Sequence, residues 1–316
     1  MEKRQLGRSD LYVSPLTFGG NVFGWTADEK TSFELLDGFI AAGFNFIDTA
    51  DVYSAWAPGN KGGESETIIG RWLKSRGNRD KVIIATKVGW DFGDGRKGLA
   101  PAYIRRAVED SLNRLQTDHI DLYQSHVDDE NVPREEVLQT YAELIKEGKV
   151  RWIGASNIKA ERLASALEIS AKNGLPRYES LQPQYNLYDR AGFETALEKV
   201  CTENDLGVIG YYALASGFLS GKYRTESDLS QSARGGGVKK YLDARGMRIL
   251  DALDRTAAET GSTPATVALA WLIQRPSVTA PIVSATSTDQ LQSLVKAPEL
   301  TLSAEAVQRL NEASAL

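Results

Sequence analysis

Residues 43–56, GFNFIDTADVYSAW, contain a helix end, a short apolar strand and a group of polar residues directly after it. Gly43 is the residue type that commonly ends a helix in a left-handed conformation. The run from Asn45 has the aromatic and β-branched residues of a buried strand. Asp48 and Tyr53 come at and after its end. This stretch therefore predicts one strand of a parallel sheet, with reactive side chains at its carboxyl end.

The same unit recurs along the chain. Eight apolar runs alternate with segments of helical period, and they begin at Leu16, Asn45, Val82, Ile120, Val150, Ser180, Leu206 and Val278. The first six steps are 26 to 38 residues long and the last is 72, with no Pro/Gly/Ser linker between them. Steps of one strand plus one helix predict a single (β/α)8 TIM barrel over residues 1–316, with its active site at the C-terminal face of the strands. A doubly wound open sheet is the alternative.

The segments between the runs have apolar residues three or four apart, which is typical of amphipathic helices. Helix ends are expected at Gly43, Gly77 and Gly148, and helix starts at Pro101 and Pro133. The 72-residue step predicts two helices, at 243–261 and 263–276, after a polar loop at about 216–240. That loop contains QSARGGGVKK, and it is either a mobile surface insertion or a lid over a cofactor.

Composition excludes several function classes. The chain has 316 residues, 42% of them hydrophobic and 25% charged, with a net charge of -5. The absence of a basic field argues against nucleic acid and anionic lipid as partners. No signal peptide or membrane-length apolar segment is present, so a cytoplasmic location is expected. With two histidines and one cysteine, Cys201, expected to be buried on a helix, we predict no metal site.

Four reactive side chains follow consecutive predicted strands, namely Asp48 and Tyr53, Lys87, and His126. Each alone is more simply a turn, surface or structural residue, but at strand ends of one barrel they converge on one cavity. We expect the Lys87 ammonium to lower the pKa of the Tyr53 phenol, and Asp48 to hold that ammonium. His126, as a neutral donor, would orient a carbonyl oxygen toward Tyr53.

This set suits proton delivery to a carbonyl oxygen, and since no side chain supplies hydride, it implies a nicotinamide cofactor. The later strand ends carry groups suited to that cofactor. Ser156, Asn157 and Gln182 are candidates to bind its carboxamide, and Tyr211 is a candidate to stack on its ring.

The residues resemble the aldo-keto reductase superfamily along nearly the whole chain. The resemblance rests on GFNFIDTADVYSAW with GGESETIIGRWLK, ATKVG, DLYQSH, VRWIGASN, LQPQYN and VIGYYALASGFLSGKY. The last motif is most similar to the branch that includes bacterial general stress proteins and potassium-channel β subunits. The resemblance implies a TIM barrel that reduces aldehydes or ketones reversibly with NADPH, and Tyr53, Lys87, Asp48 and His126 as its catalytic residues. It also implies a pyrophosphate cradle at Leu214, Ser216 and Lys222.

One departure concerns cofactor choice. The family commonly has a Lys or Arg after the last strand, near the adenosine 2′-phosphate, where this chain has Ser284, Thr286 and Gln290. NADPH is therefore gripped elsewhere, with Arg234, Lys239 and Lys240 as candidates, or NADH is accepted. We expect NADPH, with NADH possible.

The substrate is a small carbonyl compound or alcohol, and Phe23, Trp25, Trp56 and Trp90 are expected to line its site. Asp128 and Asp129 either read substrate hydroxyls or cap the helix after Pro133, and the cap is the favoured interpretation. Two other functions stay open: a cofactor-binding sensor with slow turnover, and a glycoside hydrolase that uses Asp48 with Glu64 or Asp128. The oligomeric state is not predicted.

Overall fold

A computed structural model describes residues 2–315. Eight parallel strands follow one another around a single sheet. In sheet order they are β10 (Ile282–Val283), β3 (Thr17–Gly19), β4 (Phe46–Asp48), β5 (Ile83–Val88), β6 (Ile120–Ser125), β7 (Val150–Ser156), β8 (Tyr178–Gln182) and β9 (Gly207–Val208). Seven of them lie within the predicted apolar runs, and β8 begins two residues before the run from Ser180.

Backbone hydrogen bonds join the two outer strands of that order. The amide of Ile282 donates to the carbonyl of Gly210 at 2.8 Å, and the amide of Thr279 donates to that of Val208 at 2.9 Å. These bonds close the sheet between β9 and β10, so the prediction of a TIM barrel is confirmed and the open sheet is excluded.

Helices surround the barrel. They are α1 (Glu29–Ala41), α2 (Glu64–Arg76), α3 (Pro101–Leu115), α4 (Arg134–Lys146), α5 (Ala160–Asn173), α6 (Ala191–Glu194), α7 (Leu197–Glu203), α8 (Ala244–Thr260), α9 (Pro264–Ile273), α10 (Thr288–Leu294) and α11 (Ala304–Ala313). The two helices predicted in the long step are α8 and α9. Gly77 ends α2 in a left-handed conformation, Pro101 begins α3, and Cys201 is buried on α7, all as predicted.

The sequence interpretation missed an antiparallel hairpin before the barrel, formed by β1 (Arg4–Gln5) and β2 (Tyr12–Val13). Its buried Leu6, Leu11 and Val13 pack against residues of the barrel interior such as Phe46 and Leu122. The hairpin therefore closes the end of the barrel opposite the strand carboxyl ends with an apolar plug.

Residues 215–240 are more ordered than a mobile polar loop. They form three short 3-10 helices, Ala215–Ser220, Glu226–Gln231 and Gly235–Tyr241. Phe218 stacks on Tyr241, with ring centroids 5.4 Å apart, and both side chains are buried. Apolar contacts of this kind hold the segment against the core, which argues against the mobile insertion, one of the two alternatives that the sequence left open.

Close helix packing depends on a glycine in α2. A Cβ atom at Gly70 would lie 2.1 Å from the carbonyl oxygen of Arg114, at the end of α3. A backbone atom cannot move aside as the end of a flexible side chain can. The two helices α2 and α3 therefore pack this closely only because residue 70 has no side chain.

We therefore expect Gly70→Ala to lower the free energy of unfolding by about 1–3 kcal/mol, although alanine is the better helix former. Urea denaturation measures this. Gly192→Ala is the matched control, because a Cβ there meets no atom within 4 Å. A stability of the Gly70 variant equal to wild type would contradict the account.

Candidate active site

Alternation along the strands builds the site. Phe46, Ala85 and Leu122 point into the barrel and belong to the apolar layer above the hairpin. Two residues further along each strand come Asp48, Lys87 and Gln124, which point the same way because side chains alternate with a period of two. Pairing of β4, β5 and β6 in parallel register brings them side by side. An apolar layer is thus covered by a polar one at the carboxyl ends.

Lys87 is at the centre of this polar layer. Its side chain is fully buried, and its ammonium donates to Asp48 Oδ2 at 2.6 Å, to the Thr49 carbonyl at 2.7 Å and to the Tyr53 hydroxyl at 2.8 Å. All three of its protons therefore have acceptors. Burial lowers the pKa of Lys87, while Asp48 acts in the opposite direction.

The Asp48 carboxylate is held on its other side by two amides. Its Oδ1 accepts from Gln182 Nε2 at 2.9 Å and from Gln124 Nε2 at 3.1 Å. Gln182 was predicted to bind the cofactor carboxamide, but in the structure its side-chain amide donates a hydrogen bond to Asp48. Gln124 was not predicted at all, although its position two residues after Leu122 on the same strand places it in this layer.

The prediction that Lys87 lowers the pKa of Tyr53 is wrong. Burial, followed by the charge of Asp48, raises the pKa of the Tyr53 phenol well above its ordinary value. Burial of the phenol is the larger cause, and the negative charge of Asp48, which pairs with the same ammonium, adds to it. The phenol is therefore protonated at neutral pH, as a proton donor must be.

His126 lies beside Tyr53, with ring centroids 6.0 Å apart. Burial, and secondly the charge of Lys87, lowers the pKa of His126 well below its ordinary value. The ring is neutral, and its Nδ1 has no hydrogen-bond partner among residues 2–315. Asp48, Tyr53, Lys87 and His126 thus meet at one point, as the sequence predicted.

Comparison with known proteins agrees with this geometry. Residues 15–315 match the Aldo/keto reductase family. The chain belongs to the aldo-keto reductase family. It is 35% identical to "Uncharacterized oxidoreductase YrpG" of Bacillus subtilis (strain 168), over 99% of this chain and 95% of that protein. It is 32% identical to "Protein tas" of Escherichia coli (strain K12), over 96% and 94%.

A plant relative has a name of a different kind. The chain is 32% identical to "Probable voltage-gated potassium channel subunit beta" of Arabidopsis thaliana, over 95% of this chain and 92% of that protein. The family, together with the relative that is named an oxidoreductase, supports an oxidoreductase. The described residues 2–315 contain no candidate membrane-spanning helix. They also contain no group of three His, Cys, Asp or Glu side chains that could hold a metal ion.

The other predicted cofactor residues of this aldo-keto reductase lie around the same strand ends. Ser156 donates to the Gln182 carbonyl at 2.8 Å, and Asn157 Nδ2 donates to the His126 carbonyl at 2.8 Å. Asn157 is left-handed, with φ 49°, and its Oδ1 accepts from the Tyr211 hydroxyl at 2.8 Å. This chain of bonds fixes the Tyr211 ring relative to His126.

Residues after β10 form a separate group. The Ser284 hydroxyl donates to the Gly19 carbonyl at 2.7 Å, so it ties β10 to β3. Gln290 Oε1 accepts from the Thr286 amide at 2.9 Å and from the Thr286 hydroxyl at 3.1 Å. Thr286 and Gln290 are thus engaged with each other, and residues 284–290 contain no Lys or Arg.

Three of the four aromatic residues predicted to line the substrate site lie near the Tyr53 and His126 rings. The rings of Trp25 and Trp56 meet edge-on with their centroids 5.7 Å apart, and the Trp56 centroid lies 6.1 Å from the Tyr53 centroid. The ring centroids of Trp90 and His126 are 4.9 Å apart. The prediction for Phe23 is wrong, because its ring is 0% exposed and stacks on the buried Phe18.

The carboxylates of the hydrolase alternative are occupied elsewhere. Asp128 forms an ion pair with Arg162, and Glu64 accepts from the Lys61 amide at 2.7 Å. The prediction that Asp128 and Asp129 cap a helix is also wrong. Pro133 is the N-cap of α4, and Asp129 instead accepts from the Leu99 amide at 2.9 Å.

Asp51 is a buried carboxyl that the sequence interpretation did not single out. It is 3% exposed, and neither of its oxygens has a hydrogen-bond partner among residues 2–315. Burial, and secondly the charge of Glu66, raises the pKa of Asp51 to about 8. Its signal in the sequence is the second Asp of the DTAD segment, three residues after Asp48.

This raised pKa makes stability depend on pH. Between the ordinary value of 3.8 and about 8, the folded state holds a proton on Asp51 that the unfolded state has lost. Stability therefore falls as pH rises through this window, by up to about 1.4 kcal/mol per unit, and the loss is complete above it. Asp51→Asn removes this dependence.

We expect the free energy of unfolding of Asp51→Asn, relative to wild type, to increase steadily from pH 5 to pH 8 in urea denaturation. Asp251→Asn, at an exposed position of α8, is the control for removal of one carboxylate. A difference between Asp51→Asn and wild type that does not change with pH would show that Asp51 is charged in the folded protein throughout.

Proposed function

We propose that this chain reduces aldehydes or ketones to alcohols with NAD(P)H, reversibly, and that Tyr53 supplies the proton. The observation that carries the proposal is the buried ammonium of Lys87, 2.8 Å from the Tyr53 hydroxyl and 2.6 Å from Asp48. Such an arrangement supports a phenol that gives up and regains a proton, since the Lys87 ammonium stays beside the oxygen in both states.

The chain has residues that fit the cofactor. After β9 the backbone turns through left-handed residues Tyr212, Ala215 and Ser216, with φ of 56°, 49° and 59°, and then Gly217. Turns of this kind aim main-chain amides at an anion. A Cβ at Gly217 would lie 3.7 Å from the Lys222 ammonium, so that cation lies against the turn. Leu214, Ser216 and Lys222 would hold the pyrophosphate there.

The nicotinamide cofactor supplies the hydride when bound. Ser156, Asn157 and Tyr211 would hold the nicotinamide, because they line the strand ends next to His126. The protein's own part is to place a carbonyl oxygen at the Tyr53 hydroxyl, with neutral His126 as a second donor. Trp56 and Trp90 border that point and keep it apolar.

As negative charge develops on the substrate oxygen, the phenol proton moves from Tyr53 to that oxygen, and the Lys87 ammonium stabilises the phenolate left behind. Asp48 keeps the ammonium in position throughout, and Gln124 and Gln182 keep Asp48 in position. In the reverse direction the Tyr53 phenolate takes the proton from an alcohol.

We expect Tyr53→Phe to bind NADPH as tightly as wild type and to lose about 100-fold or more in kcat, since the general acid is removed and the ring is kept. NADPH consumption at 340 nm with a panel of aldehydes and ketones measures turnover, and quenching of protein fluorescence measures binding. Tyr12→Phe, on the exposed hairpin strand β2, is the matched control.

An unchanged kcat in Tyr53→Phe would refute the assignment of the proton donor. Wild-type protein that binds NADPH but turns over no carbonyl of the panel would favour the cofactor-binding sensor. That outcome is the one suggested by similarity to a potassium-channel subunit.

For cofactor choice we expect NADPH to have the higher kcat/KM and NADH to support turnover as well. Residues 284–290, directly after β10, include no Lys or Arg to bind a 2′-phosphate. Charge-assisted hydrogen bonds from such a residue are what would make the preference for NADPH large. Steady-state kinetics with both cofactors and one substrate measures the ratio. A higher kcat/KM for NADH would show that the preference is reversed.

A further inference from the structure

The loop between β5 and α3, residues 89–100, packs against the loop between β4 and α2. A Cβ atom at Gly62 would lie 2.4 Å from Phe92 Cε1, so the Phe92 ring occupies the space left by the missing side chain. At the adjacent residue, Arg96 Nη2 donates to the Lys61 carbonyl at 2.8 Å. An apolar contact and a hydrogen bond therefore join the two loops at one point.

The β5–α3 loop is also held together by its own hydrogen bonds. The Phe92 amide donates to the Arg96 carbonyl at 3.1 Å, and Asp91 Oδ1 accepts from the Gly93 amide at 2.7 Å. The Arg96 guanidinium carbon lies 3.9 Å from the centroid of the Phe92 ring, and the guanidinium pairs with Asp94 at 2.9 Å. Since a cation is attracted to an aromatic face, Arg96 holds the Phe92 ring against the neighbouring loop.

Each of the two joined loops carries a half-exposed indole beside a residue of the tetrad. Trp56, on the β4–α2 loop, is 49% exposed and contacts Tyr53. Trp90, on the β5–α3 loop, is 42% exposed and contacts His126. Because the Tyr53 and His126 rings are themselves neighbours, the four rings form a continuous arc with an indole at each end. Large apolar side chains that stay exposed in a cleft are typical of a ligand-binding site.

The contact between Phe92 and Gly62 fixes the position of one indole relative to the other. Phe92 lies two residues after Trp90, and Gly62 is on the loop of Trp56. A rigid ring that contacts both indoles at this spacing loses no internal freedom on binding. A linear chain must lose rotational freedom to make the same contacts, and this cost weakens its binding.

We propose that Phe92 and Arg96 determine substrate specificity by setting the spacing of Trp56 and Trp90, which favours carbonyl groups attached to a flat apolar ring over linear aldehydes. The inference rests on the proposed reductase function. Phe92 and Arg96 are positioning residues that act through the two indoles. The proton donor Tyr53 keeps its place beside Lys87, so a change at Phe92 alters the choice of substrate more than it alters kcat.

The test compares benzaldehyde with hexanal as substrates of wild type and of variants, with NADPH as the cofactor. We expect Phe92→Ala to lower kcat/KM for benzaldehyde at least about fivefold more than kcat/KM for hexanal, mainly through KM, as for the loss of one aromatic contact. The comparison of ratios cancels the different reactivity of the two aldehydes. Arg96→Gln has a smaller loss of the same kind.

Two further variants separate this role from a general effect on the loop. Phe92→Tyr keeps the ring, so we expect it to have the wild-type ratio. Lys97→Gln, which removes an exposed ion pair with Asp91 in the same loop, is the control and keeps that ratio too. An unchanged ratio in Phe92→Ala would overturn the proposal, as would a ratio in Phe92→Tyr as low as that of Phe92→Ala.

A double-mutant cycle tests whether Phe92 acts through Trp56. In a Trp56→Leu background we expect Phe92→Ala to change the ratio by less than about twofold, because the indole that Phe92 positions is absent. If the effect of Phe92→Ala is as large in that background as in wild type, Phe92 does not act through the indole and the proposal is wrong.

A wild-type protein that reduces neither aldehyde would refute the reductase function but would leave the role of Phe92 open to a binding test. Calorimetric titration with benzyl alcohol then decides. Binding to wild type that is about fivefold weaker in Phe92→Ala and restored in Phe92→Tyr supports the proposal. Absence of binding to wild type, or equal binding to wild type and Phe92→Ala, overturns it.

Discussion

The whole site depends on a single charge buried in the barrel. Lys87 is fully enclosed, and a buried ammonium costs several kcal/mol unless its protons have acceptors and its charge has a partner. Asp48 is that partner, and it is held in turn by Gln124 and Gln182. These four residues come from β4, β5, β6 and β8, so the ion pair is satisfied only when those strands have their native register. The native register of these strands therefore both satisfies the buried ion pair and brings the catalytic residues together.

The parts of this arrangement that follow from chain geometry could be predicted from the sequence. Parallel strands of one barrel bring their carboxyl ends to one face, so polar residues at the ends of the runs from Asn45, Val82 and Ile120 had to meet there. Asp48, Lys87 and His126 do so. The presence of helices α8 and α9 could be predicted as well, because their periodicity and their starts are local properties of the sequence.

Features that are decided by competition between groups far apart in the sequence could not be predicted from it. Whether Tyr53 is made more or less acidic depends on the balance of burial, Lys87 and Asp48, and only coordinates give that balance. Phe23 follows a strand just as Trp25 does, but its ring turns into the core and stacks on Phe18. Asp128 precedes a helix in sequence, but Arg162 of α5 is the nearer partner in space. Each misplaced residue is one for which two environments compete.

The site contains two cations of opposite character. The charge of Lys87 is neutralised within the protein by Asp48, so it changes little when a neutral carbonyl enters, and it serves chemistry at the Tyr53 oxygen. Arg234 has no such carboxylate within the described chain, so its charge is offset only by what binds. A neutralised cation stabilises a transient charge, whereas an unneutralised one discriminates between ligands in the ground state. We therefore expect Lys87, on β5, to serve the chemistry and Arg234, on the segment after β9, to serve the binding of an anion.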